Sequence, residues 1–301
     1  MAKIAVELEQ ALKRRALSGG PGTTVARRLA EGNGWTVSDV VCTSGPQDRP
    51  FEERHSGFSI AIVAAGSFQY RSAAGRELMT PGSLLLGNAG RCFECGHEHG
   101  TGDRCLSFRY APNYFERLAA DAGVRRAKPD FRMLRLPPLR ALSALVARAC
   151  TGLARSVDVP WEELSLRLAA QAVRLVRGFL PDPSDAPPSA VARVTRTVRM
   201  IERHPDAGLT LGSLAREAGL SPYHFLRTFE RLTGVTPHKY VLRARLREAA
   251  MRLAAEPARV LDIALDCGFG DVSNFNRNFR AAFGASPREW RGSNSIIPLQ
   301  R

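Results

Sequence analysis

Two stretches near the C-terminus, Leu214-Ala215-Arg216-Glu217-Ala218-Gly219-Leu220-Ser221-Pro222-Tyr223-His224-Phe225-Leu226-Arg227-Thr228-Phe229 and Ile263-Ala264-Leu265-Asp266-Cys267-Gly268-Phe269-Gly270-Asp271-Val272-Ser273-Asn274-Phe275-Asn276-Arg277-Asn278-Phe279, read as copies of one unit. Leu214-Ala215 returns as Ile263-Ala264, and Gly219-Leu220 as Gly268-Phe269, both 49 positions on. Phe225, Arg227, Phe229, Gly234, Pro237 and Tyr240 return as Phe275, Arg277, Phe279, Gly284, Pro287 and Trp290, all 50 positions on. The one additional residue falls at Gly270, in a turn. Identity at spaced positions, with variation between them, marks a duplicated supersecondary unit.

Each copy reads as a helix, a tight turn and a second helix. Leu211, Leu214, Ala215 and Ala218 make an apolar stripe that Gly219 ends, where a left-handed backbone is cheap. Ser221 suits an N-cap, with Pro222 at the first helical position. Phe225, Phe229 and Leu232 then form a buried face, as do Phe275, Phe279 and Phe283 in the second copy. The opposite faces present Tyr223, Leu226, Arg227 and Glu230, and then Val272, Ser273, Asn276, Arg277 and Arg280. Such a second helix fits a major groove, where Arg pairs with guanine, Asn with adenine, and Leu or Val meets a thymine methyl. Between the copies, Pro237 to about Ala255 reads as one helix of about 27 Å, a rod suited to holding two such helices about one DNA turn apart.

At these residues the chain resembles the DNA-binding domain of the AraC-type (AraC/XylS) transcription regulators, from Val198 to Arg291. The signature runs through Ala215, Gly219, Ser221, Phe225, Arg227, Phe229, Gly234, Arg245, Ala249, Ile263-Ala264, Gly268-Phe269, Asp271, Phe275, Arg277, Phe279, Phe283, Gly284 and Ser286-Pro287. The resemblance implies a seven-helix domain with two helix-turn-helix motifs, promoter DNA and RNA polymerase as partners, and control of transcription initiation. It implies base contacts at Tyr223, Leu226 and Arg227, and at Val272, Ser273, Asn276 and Arg277. Many members carry an N-terminal cupin-like barrel followed by paired helices.

The upstream sequence has that order. Leu180-Pro181-Asp182-Pro183-Ser184-Asp185-Ala186-Pro187-Pro188-Ser189 reads as an exposed linker (181–189), dividing 1–180 from 190–301. Trp35 to Cys42, Phe58 to Ala64, Gly66 to Arg71, Gly82 to Leu86 and Arg104 to Tyr110 read as strands of a sandwich or barrel. Helical periodicity takes over across about 138–178, with a break at Asp158 and Pro160. These two amphipathic helices either cover their own barrel or join a second copy in a homodimer. The expected class is therefore α+β: a cupin-like β-barrel with two helices, then an all-α domain with two helix-turn-helix motifs joined by a linker helix.

One cluster in the first domain carries chemistry. Cys92, Cys95, His97 and His99, followed by Asp103 and Cys105, offer donors for zinc or another transition metal. If 92–99 is extended, Cys95, His97 and His99 share a face. The alternatives are a redox-sensitive thiol, favoured by Arg91 and Arg104 nearby, or a structural turn. His97, His99 and Asp103 also resemble the metal half-motif of cupins, although no later Pro-x-Gly-x-x-His completes it. Cys42, Cys150 and Cys267 lie in apolar surroundings and read as packing residues.

Composition bounds the remaining classes. The 301 residues are 44% hydrophobic, too apolar for a disordered chain and long enough for two domains. No uncharged apolar run reaches the length of a membrane span, and charged residues from Lys3 to Arg15 argue against a secretory leader. The expectation is a cytoplasmic protein without a disulfide framework and without a membrane partner. The net charge is +14, and residues 191–301 hold 18 basic against 10 acidic side chains, as a DNA-contacting module should. The leading reading is a non-enzymatic regulator whose barrel senses a metal, an oxidant or a small molecule. The alternative is a metal-dependent cupin enzyme fused to a DNA-binding domain.

Overall fold

The computed structural model describes residues 3–50, 52–123, 130–154, 159–178 and 186–294. The break at Asp158 and the linker residues 180–185 lie outside them. Helix α1 (Lys3–Ser18) precedes β1 (Thr24–Gly32), β2 (Trp35–Cys42), β3 (Glu52–Arg54), β4 (Phe58–Gly66), β5 (Phe68–Ser72), β6 (Gly75–Met79), β7 (Leu84–Gly87), β8 (Cys92–Gly96) and β9 (Asp103–Tyr110). Helix α2 (Pro112–Asp121), a short β10 (Arg135–Leu136), α3 (Ser143–Ala154) and α4 (Trp161–Val176) complete the first domain. The second comprises α5 (Pro188–Arg203), α6 (Leu211–Ala218), α7 (Pro222–Thr233), α8 (Pro237–Ala255), α9 (Val260–Asp266), α10 (Val272–Phe283) and α11 (Pro287–Asn294). Those are seven helices among the described residues, and the α+β class is as expected.

The strands form two facing antiparallel sheets, ordered β1-β2-β9-β4-β7-β10 and β3-β8-β5-β6. Strand β4 is apolar at nearly every position because both its faces are buried. Phe58, Ile60 and Ile62 pack with Phe115, Val146 and Leu168 from the helices behind the larger sheet. Ala61 and Val63 face the other way, against Phe68, Tyr70 and Met79 of the smaller sheet. The apolar faces of α3 and α4 are thus used within the chain: Val146, Cys150, Leu153, Leu164, Leu168 and Val173 are all buried.

Helix α5 begins at Pro188, earlier than the expected linker end at 189. Pro187 is the N-cap and Pro188 the first helical residue, where a missing N–H breaks no hydrogen bond. The two domains share apolar contacts. Leu78 of β6 packs with Phe225 and Phe229 of the first helix-turn-helix unit, and Ala147 of α3 with Phe275 and Phe279 of the second. Polar ties flank these contacts. Arg135 donates to Glu77 (2.8 Å) and to the Thr233 carbonyl at the end of α7 (2.7 Å), Arg199 to the Thr101 carbonyl (3.0 Å), and Arg243 to the Pro138 carbonyl.

Arg104 is fully buried on the helix-facing side of β9 and grips Asp39 of β2 with two hydrogen bonds of 2.9 Å. Glu7 of α1 approaches the same guanidinium at 2.5 Å. Burial disfavours the Asp39 carboxylate, but Arg104 and Arg27 outweigh it and hold its pKa below the ordinary value. Arg104→Leu should therefore lower the unfolding free energy by about 3–5 kcal/mol, because Asp39 is left buried with only the largely exposed Arg27. Asp39→Leu in that background should recover part of the loss; urea melts of both variants measure it.

Candidate functional site

The duplicated units are built by the same local devices. Gly219 and Gly268 both sit at positive φ, 62° and 82°, where an L side chain would be strained. The N–H of the residue after each glycine then reaches back alike: Leu220 to Ala215 (3.0 Å) and Phe269 to Ala264 (3.1 Å). Ser221 caps α7 by accepting from the His224 N–H, and Asp271 caps α10 by accepting from Asn274 (2.7 Å). The extra residue, Gly270, lies in the turn between. In both units the phenylalanines point inward, so the opposite face of each second helix is forced outward.

That face carries the sequence-predicted residues. Tyr223, Arg227, Ser273, Asn276 and Arg277 are exposed, while Leu226 and Val272 are half-buried. Each arginine is steadied by a neighbour one turn back. Arg227 donates to the Tyr223 hydroxyl (3.2 Å) and lies over its ring at 5.9 Å; Arg277 donates to the Asn274 side-chain oxygen (3.0 Å). A groove beside α10 is flanked by Arg277, Arg280, Arg288, Arg291 and Arg259, a basic surface suited to phosphates. Arg259 and Arg288 were not read as site residues from the sequence, because only the fold brings them beside α10.

The second site is a cavity of about 160 Å³ between the two sheets, room for a ligand of roughly benzene size. Asp103, Cys105, Ser107 and Arg109 alternate along β9 to line it, and Cys95 and His97 enter from β8 and the residue after it. His97 Nε2 lies 2.7 Å from an Asp103 carboxylate oxygen, and Cys105 donates to the other oxygen at 3.2 Å. Burial works against a charge on His97, but Asp103 and the nearby Cys42 sulfur push the ring up to about 9. Elsewhere in the cavity His55 pairs with the Tyr70 hydroxyl at 2.7 Å and stacks on Phe93 at 4.1 Å. Burial and the Arg109 charge pull His55 down to about 4, so it is neutral at pH 7.

The cluster read from the sequence is only partly assembled. His97, Asp103 and Cys105 meet, and Cys95 lines the same cavity. His99 does not join them: β8 stops at Gly96, and Glu98 and His99 form a turn closed by the Gly100 N–H to the His97 carbonyl (3.3 Å). The alternation assumed across 92–99 ends there, and His99 rests 3.9 Å from Glu98. Cys92 lies on another groove, with Arg91 and Glu94. Cys42, read as a packing residue, instead belongs to the site: it lies directly opposite Asp103 in the β2–β9 register. The donor atoms of Cys42, His97 and Asp103 lie within 4.8 Å of one another. Cys95 and Cys105 lie in surroundings that disfavour a thiolate. Burial and the Asp103 charge push both thiols well up, while Arg104 points to the other face of β9.

Comparison with known proteins follows the same division. The AraC-like ligand binding domain family matches residues 40–169, and a helix-turn-helix domain family matches 214–293. The HTH-type transcriptional activator RhaS of Klebsiella pneumoniae (strain 342) is 26% identical over 274 residues, spanning 87% of this chain and 95% of that protein. The transcriptional activator NphR of a Rhodococcus species is 26% identical over 258 residues, 80% of this chain and 71% of that one. The probable transcription factor PqrA of Proteus vulgaris is 35% identical over 91 residues, 30% of this chain and 74% of that one. Among the described residues no helix is long and apolar enough to cross a membrane.

The two cavity histidines should titrate on opposite sides of the ordinary range, which histidine NMR can read: His55 near pH 4 and His97 near pH 9. Asp103→Asn should bring the His97 midpoint down. The raised His97 value stabilises the fold, fully so below its unfolded pKa of about 6.5. That stabilisation is lost as the pH climbs through about 9. Midpoints for both rings between 6 and 7 would contradict the geometry.

Proposed function

Because the chain belongs to the AraC-type transcription regulators, we propose that α7 and α10 read two adjacent major grooves of one promoter while the barrel cavity receives the signal. The observation that carries this reading is the matched presentation of Arg227 and Arg277, exposed and braced, on the outer faces of duplicated helices. Helix α8, 19 residues and about 28 Å long, sets the separation of the two units. Bracing by Tyr223 and Asn274 reduces the rotamer entropy that binding must remove. Tyr223, Asn276 and Ser273 offer further polar contacts to base edges, and half-buried Leu226 and Val272 offer apolar ones. Arg259, Arg280 and Arg288 contribute phosphate contacts, which fix register without reading sequence.

The signal is received on loop 97–103, which forms part of the cavity wall and also presents the Thr101 carbonyl to Arg199 of α5. Arg135 makes a second link, from Glu77 on β6 to the end of α7. A ligand that binds one arrangement of these contacts better than another shifts the DNA-binding population in proportion to that difference.

Selection of bound sequences from a random duplex pool, followed by footprinting, should show two protected major-groove segments about one turn apart per chain. Arg227→Ala and Arg277→Ala should each cost about 1–3 kcal/mol and relax specificity at one step. Arg288→Ala should weaken binding to all sequences alike and flatten the salt dependence. A single protected groove, or undiminished specificity in both base-reading variants, would overturn the assignment.

A further inference from the structure

We propose that Cys42, His97, Asp103 and Cys105 form a site for a borderline-soft divalent cation of the zinc class inside the barrel. The proposal rests on the cavity being the signal-receiving site, and it names what is received.

The donor set comes from three strands and both sheets: Cys42 ends β2, Asp103 begins β9 opposite it, Cys105 follows on the same face, and His97 arrives just after β8. The donor atoms of the first three lie within 4.8 Å of one another. Tetrahedral zinc, with bonds of about 2.0–2.3 Å, holds its donors about 3.3–3.8 Å apart. Side-chain adjustment of about 1 Å therefore closes the site, and the paired strands stay in register. Cys105 Sγ, 3.2 Å from Asp103, is the fourth donor. All four residues are less than a tenth exposed, so a cation here is shielded from water.

Two features point to an occupant. His97 Nδ1 is buried without a hydrogen-bond partner among the described residues, a polar atom that a bound cation would satisfy. The donors are also chemically selective. Two sulfurs and an imidazole beside one carboxylate suit zinc, cobalt and similar ions, whereas magnesium and calcium need shells of oxygen. The arrangement is not the His-x-His pair legible in the sequence, because His99 turns away and a cysteine from a distant strand takes part. Coordination would fasten loop 97–103 at both ends. Its middle holds Arg199 through the Thr101 carbonyl, and a Cβ at Gly100 would meet that guanidinium at 2.8 Å. Occupancy thus acts on the segment that touches the DNA-binding domain.

The test uses the full chain, stripped with chelator under reducing conditions and titrated with cobalt(II), then zinc(II). One equivalent of cobalt should bind, with tetrahedral visible bands and a thiolate-to-cobalt charge-transfer band, and zinc should displace it. Cys42→Ser should lose about half of the charge-transfer intensity, since Cys105 remains, and His97→Ala should weaken binding at least about tenfold. Cys92→Ser, on another groove, should behave as the parent does. Circular dichroism of each metal-free variant guards against misfolding, and Cys105→Ser supplies a second test of sulfur ligation if Cys42→Ser does not fold. The absence of saturable one-to-one binding, or a charge-transfer band undiminished in both Cys42→Ser and Cys105→Ser, would overturn the proposal. Gel shifts of the metal-free protein on its selected operator report separately on the regulator reading: DNA binding retained without any metal site sinks this inference alone.

Discussion

The second domain depends on one helix that must face two apolar cores at once. Tyr240, Val241 and Ala244 of α8 close the core of the first helix-turn-helix unit, and Leu246, Ala249, Ala250 and Leu253 close that of the second. A helix serving two cores cannot have a single apolar stripe. Its arginines are correspondingly engaged as hydrogen-bond donors. Arg245 donates to the Pro205 carbonyl (2.6 Å), the Ala207 carbonyl (2.8 Å) and the Gly268 carbonyl (2.7 Å), tying the exit of α5 to the turn of the second unit. Arg247 grips Glu202 of α5. The separation of the two recognition helices is therefore a property of packing around α8 and not of a flexible joint.

What was legible from the sequence was mainly what is decided locally. Gly219, Ser221 and Pro222 act within one turn of where they stand, and the repeat doubles the signal, so the boundaries of α6, α7 and α8 follow from it. Strand β4 was legible because burial on both faces leaves an unbroken apolar run. Strand β1 was not, since Thr24 to Arg28 are exposed and it stands at a sheet edge, paired among the described residues with β2 alone. Helix α1 carries charges along its length and gave no apolar stripe strong enough to mark it. Pro187 and Pro188 looked like linker residues because proline is hostile to helix interiors, yet it is well suited to a helix start.

The sensor cavity shows the same limit more sharply. His97, Asp103 and Cys105 lie close in sequence and were found together. Cys42 was missed because its partnership with Asp103 exists only through the pairing of β2 with β9, strands separated by most of the barrel. His99 was included because an extended run was assumed where the chain turns. Arg104 does not reach the cavity thiols for a related reason: it is adjacent to Cys105 in sequence but on the opposite face, and a strand's alternation separates neighbours as firmly as it unites residues two apart.

The first domain supports the two helix-turn-helix units through different footings. Leu78, at the end of a strand in the smaller sheet, enters the core of the first unit, whereas Ala147, on a helix behind the larger sheet, enters that of the second. A distortion that slides one sheet over the other would load these supports unequally. The two helix-turn-helix units would then tilt relative to one another, because each rests on a different layer of the first domain.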